Sequence, residues 1–88
     1  MEGRISIDEA ESIAYAACLR KLPYKDKYYS YYCDACELQF VHNQWIYAVN
    51  LSIFRKGGLF NSIQSAHSGK VQIDAEEGTV IGIRMKDK

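Results

Sequence analysis

Cys33-x-x-Cys36 puts two thiols three residues apart, the spacing at which a zinc site or a thiol–disulfide exchanger begins. Neither chemistry has the surroundings it needs. Zinc requires its donors within ~2.3 Å of one point. If residues 36–42 form one extended strand, ~3.3 Å per residue places His42 roughly 20 Å from Cys36. Cys18 and His67 are tied to the pair by no spacing rule. Redox work wants the first cysteine at a helix N-terminus, whose dipole lowers the thiol pKa, but the residues after Cys36 alternate like a strand. The two cysteines therefore read as small, partly buried thiols beside a strand. Zinc held by Cys33 and Cys36 stands as the alternative.

Other catalytic arrangements are thinner still. A nucleophile needs a base, and the base needs a third group to orient it. His42 sits by a turn and His67 in the polar run "QSAHSG", with no such group beside either in sequence. Gly57-Gly58 precedes a strand-like segment rather than a helix, so it is no phosphate loop. Asp74 to Glu77 are turn acids with the wrong spacing for calcium. No catalytic residue, metal ligand set or cofactor site is expected.

The elements that position these residues start with "ISIDEAESIAYAACLRKL". Ser6 and Glu9 form a capping box, in which the hydroxyl accepts from the Glu9 amide and the carboxylate reaches back to the Ser6 amide. Asp8 and Glu9 complement the positive end of the helix. Ala10, Ile13, Ala14, Ala17 and Cys18 recur at helical spacing, and so small a face predicts a helix lying close on a sheet. Pro23 lies beyond its end. Residues 24–35 lack a period and hold five of the seven tyrosines. Alternation begins at Glu37, with Leu38 and Phe40 on one side. Asn43-Gln44 is the expected tight turn. In "WIYAVNLSIF", Trp45, Tyr47, Val49, Leu51 and Ile53 share one parity and should face the core. Trp45→Ala there should cost ~3–5 kcal/mol. "SIQSAHSGKVQID" is a more polar strand, "DAEEGT" a turn closed by Gly78 at positive φ, and "TVIGIRM" a last strand with Ile81, Ile83 and Met85 on one side. The result is a single domain over 1–88, α+β, with one N-terminal helix on an antiparallel sheet of about four strands.

Glu9, Ala10, Ile13 and Ala14, followed by Val71, Ile73, Asp74, Ala75, Gly78 and Val80, resemble the "EA…IA" helix and "V-x-V/I-D-A-x-x-G-x-V" hairpin of PepSY domains, a cystatin-like fold. The layout is also similar to small NTF2-like immunity proteins that neutralise bacterial toxins. The likeness covers most of the chain except residues 23–36 and implies fold more than task. PepSY relatives are associated with peptidase regulation outside the cytoplasm, which makes a peptidase regulator a further alternative.

Composition sets the remaining bounds. Eleven basic residues balance eleven acidic ones, which leaves no excess charge to draw nucleic acid. No apolar run approaches the ~20 residues of a membrane span. The acidic start "MEGRISIDEA" and the odd count of three cysteines lead us to expect a cytoplasmic protein. One helix covers one face of a sheet. The other would carry Val41, Ile46, Ala48, Asn50, Ser52 and Phe54, apolar enough to suggest a partner or a homodimer. Tyrosine offers large contact area at small entropic cost, so Tyr28, Tyr29, Tyr31 and Tyr32 are added to Val41, Ile46 and Phe54 as candidate partner-binding residues. The expected function is a non-enzymatic protein-binding module. The resemblance makes it a cytoplasmic immunity or inhibitor protein that occludes a toxin or enzyme.

Overall fold

A computed structural model describes residues 4–22, 29–57 and 62–87. One helix, α1 (Ile7–Leu19), is followed by four strands: β1 (Tyr29–Val41), β2 (Gln44–Gly57), β3 (Ser62–Asp74) and β4 (Val80–Asp87). They form one antiparallel meander in the order β1-β2-β3-β4. This is the expected α+β layout.

Helix α1 starts where the cap predicts. The Glu9 amide donates to Ser6 Oγ at 3.0 Å. The return contact differs from the full box, because the Ser6 hydroxyl meets the Glu9 carboxylate at 3.4 Å. Ala10, Ala14, Ala17 and Cys18 are buried. They settle on Val49, Leu51, Ile53, Val71 and Ile73, all essentially inaccessible to solvent. Burial of the odd-numbered side of β2 follows the sequence pattern, except that Trp45, at the strand's start, is only half-buried. There it stacks against Phe40 with ring centroids 5.0 Å apart, under the Arg4 guanidinium at 5.1 Å.

The turns are built by local chemistry. The hairpin between β1 and β2 turns on His42-Asn43, one residue earlier than the alternation suggests. Both residues have positive φ, 51° and 64°, the conformation whose twist matches the paired strands. At the hairpin between β3 and β4 the Asp74 carboxylate accepts from the amides of Glu76 and Glu77 at 2.8 and 3.1 Å, and Gly78 closes the turn at φ 77°. The segment before the helix is sewn to this turn. The Ile5 amide donates to the Ala75 carbonyl at 2.7 Å, and Tyr47 Oη donates to the Ile5 carbonyl at 2.9 Å.

Among the described residues the strand pairing shifts register three times, once between Arg55 and Lys56 near the end of β2, and the other two shifts decide which side chain faces where. β1 begins at Tyr29, eight residues before the alternation is visible, and its register against β2 shifts between Cys33 and Ala35. The extra residue puts Cys33 opposite Leu51 and Cys36 opposite Val49, both on the helix side. A second shift, between Gln72 and Ile73, pairs Ile73 with Val80. Val80 thereby takes the core position expected of Ile81, which is left 49% exposed.

Candidate functional site

The sheet surface opposite α1, the reverse face, is the candidate site. Cross-strand pairs share a face, so the register assigns it. β1 contributes Ser30, Tyr32, Ala35, Glu37, Gln39 and Val41, and β2 the even-numbered residues from Gln44 to Phe54. Ala66, Ser68, Lys70, Gln72 and Asp74 follow on β3, then Gly82, Arg84 and Lys86 on β4. Among the described residues no helix or second sheet lies over this face.

The candidate residues read from the sequence divide between the two sides of the sheet. Tyr28 lies outside the described residues. Tyr29 is 7% exposed and belongs to the core cluster, not to a docking surface. Tyr31 also faces the helix, stacked on Tyr15 with centroids 4.1 Å apart. Strand alternation is the reason: once β1 extends back to Tyr29, tyrosines two apart must share the core side. Tyr32, on the other parity, is 70% exposed on the reverse face. It meets the half-buried Phe54 edge-on at 5.7 Å. Val41 is exposed at the hairpin end. Ile46 is on the reverse face as expected, but at 4% exposure it is the floor of a hollow of about 180 Å³ lined by Val41, His42, Gln44, Gln72 and Ile81, rather than a projecting contact.

Apart from Asp74 at the end of β3, whose carboxylate accepts from Gln44 Nε2 and the amides of Glu76 and Glu77, charge on this face is segregated by edge. Asp34 and Glu37 stand on β1. Arg84 and Lys86 stand on β4, with Lys70 beside them on β3. Asp34 is the bulge residue, and its carboxylate accepts from the buried Ser52 hydroxyl at 2.5 Å, which fixes it on the reverse side. Glu37 accepts from Gln39 Nε2 at 3.3 Å. Lys70 and Arg84 are direct cross-strand partners, a like-charge pairing that opposes sheet formation. Between them lies a hollow of about 370 Å³, lined by Lys70, Gln72, Gly82, Ile83 and Arg84, where Gly82 supplies no side chain to fill the space.

The thiols lie on the covered side. Burial pushes the Cys18 thiol up to about 11. Burial first, then the Glu11 carboxylate, raises Cys33 and Cys36 as well. Tyr31 is raised chiefly through its hydrogen bond to Glu11. Thiols shifted this way are held protonated at neutral pH, the opposite of a redox nucleophile or a ready metal ligand. Among the described residues no group of three or more His, Cys, Asp or Glu side chains is placed to hold a metal ion.

Sequence reading missed Asp34, Lys70, Gly82 and Arg84 as parts of one face. The signal for Lys70 and Arg84 was available, since each has the parity opposite to its apolar neighbours Val71 and Ile83. Residues 29–35 show no period by themselves, and the β1 bulge is placed by pairing with β2. Comparison with protein-family models, with curated proteins and with solved structures yields no match to this chain. No helix among the described residues is long and apolar enough to cross a membrane.

Proposed function

We propose that the chain is a non-enzymatic protein-binding module that docks through its reverse face, with Tyr32 and Phe54 as the aromatic anchor and the charged edges as the rim. The observation that carries this reading is the pairing of an exposed aromatic cluster with a sheet face that no other layer of the described chain overlies. Anchors of this kind supply most of the binding energy at an interface, while a polar rim excludes water and sets register. The mechanism is steric: a rigid sheet covers the working surface of its target and performs no chemistry of its own. On this reading the chain acts as an immunity or inhibitor protein of the cytoplasm, a role suggested by the similarity of its layout to small NTF2-like immunity proteins.

A photo-crosslinking amino acid at position 32, in cells of the native host, tests the docking surface. Adducts identified by mass spectrometry are expected from position 32 and not from position 76, on the exposed turn. Equal labelling from both positions, or none from position 32, would remove the reverse face as the docking surface. The inhibitor role adds a further expectation: the captured protein should be a toxin or enzyme whose activity falls on adding this chain.

A further inference from the structure

We infer that the reverse face first receives a second copy of this chain, in a two-fold dimer whose axis lies in the interface parallel to the strands. The inference rests on the reverse face being the docking surface and names its partner in the isolated protein. Charge complementarity selects both the occupant and the geometry. An axis parallel to the strands lays β1 of each copy over β4 of the other, so Asp34 and Glu37 come over Arg84 and Lys86, with Lys70 one strand further in. An axis across the strands would lay β1 over β1, acid on acid. Apart from Asp74, whose carboxylate is already engaged by Gln44 and the turn amides, the acids lie on the β1 edge and the bases on the β4 side, so the face is complementary to itself in one orientation only.

Height along the strands makes the match specific. Glu37, Ala48, Gln72 and Gly82 form one row across the sheet, and Ala35, Asn50, Lys70 and Arg84 form the next. A two-fold parallel to the strands preserves height, so Glu37 of one copy falls opposite the hollow at Gly82 of the other, between Lys70 and Arg84. The usual ~30° between packed sheets displaces the outer strands by only about one residue. A carboxylate entering that hollow answers the repulsion between Lys70 and Arg84. Tyr32 and Lys86 also share a row through Ser52 and Ser68, so each Tyr32 ring comes within reach of the other copy's ammonium group. The middle of the face carries Ala48, Asn50, Ser52 and Ser68, small enough for two sheets to approach to ~10 Å. Four strands ~4.8 Å apart, paired over roughly ten residues, offer about 600 Å² per copy. The total of about 1,200 Å² is at the lower end of stable interfaces, which fits a dimer that a tighter partner could displace. Pairing edge to edge is less suited, because the bulge interrupts β1 and β4 carries Arg84 and Lys86.

Sedimentation equilibrium on the full chain tests this. Glu37→Lys and Arg84→Glu, both on the surface, should each weaken the dimer ~10-fold, and the double variant should return it to within ~3-fold of the original. Folding of each variant is checked by circular dichroism. Should a variant not fold, hydroxyl-radical labelling of the unaltered chain serves instead: oxidation of Tyr32 and Phe54 should fall as protein concentration rises. A chain monomeric up to ~1 mM, a dimer indifferent to both reversals, or labelling that does not change with concentration would overturn the inference. If the chain stays monomeric while position 32 still crosslinks to a different protein, self-pairing fails and the docking surface survives. If position 32 crosslinks to nothing, both fail.

Discussion

A Cβ placed on Gly69 would come within 2.6 Å of Cys18 Sγ and 3.2 Å of Met85 Sδ. Helix and sheet approach so closely here that the strand has no room for a side chain. The close approach is what the small face of α1 permits, and it holds the helix over the middle of β2 and β3.

Gly69→Ala should therefore destabilise the fold by ~1–3 kcal/mol, the usual range for overpacking, although alanine is normally the better strand residue. Cys18→Ala alone opens a small cavity. The double variant should be more stable than the sum of the two changes, and urea denaturation of all four proteins gives the coupling. Strict additivity would mean that the sheet moves away from the helix instead.

Side-chain size is a poor guide to which truncation hurts most. Leu51 is 1% exposed at the centre of the core, so Leu51→Ala should cost ~2–5 kcal/mol. Trp45 is half-buried at the sheet end, and Trp45→Ala should fall below the ~3–5 kcal/mol typical of a fully buried ring. Equal losses in the denaturation midpoints would show that the ring is more enclosed than this arrangement allows.

Cys18 links stability to alkaline pH. Its thiol is raised from an ordinary 9.0 to about 11 by burial, so the folded state keeps its proton where the unfolded chain loses it. The stabilisation is complete below pH 9 and declines as pH rises through about 11. Cys18→Ala should flatten the thermal-stability profile over that window. At neutral pH, iodoacetamide should modify Cys33 and Cys36 before Cys18, which is buried.

Asp74 works at the acid end. Amides of Glu77 and Glu76 hold its carboxyl below the ordinary value of 3.8, so its contribution is present above that value and fades as pH falls through the folded one. Asp74→Ala should lower the melting temperature at pH 7, and the gap to the unaltered protein should close in strong acid. A gap that persists there would show that the side chain acts through shape rather than charge.

Much of the fold could be read from local pattern. The cap at Ser6, the small face from Ala10 to Cys18, the parity of Tyr47 to Ile53 and the Gly78 turn each rest on residues near in sequence, and each appears where its chemistry requires. The candidate site was less legible. The parity of β2 places Ile46 and Phe54 on the reverse face, because that strand runs unbroken from Gln44 to Arg55. Tyr29 and Tyr31 were not separable from Tyr32 while the start of β1 was unknown.

One helix, its small packing face and the inward side of the central strand follow from local pattern, since helical and strand periods are properties of neighbouring residues. Where the period slips is settled by strand pairing. A strand repeats every two residues, so one inserted residue turns everything beyond it to the opposite side. Pairing with β2 absorbs such a residue, Asp34, between Cys33 and Ala35, and pairing with β3 absorbs another, Ile81, between Val80 and Gly82. The first slip sets Glu37 on the reverse face and the second turns Ile81 out of the core, and both are fixed by contacts between strands rather than within them.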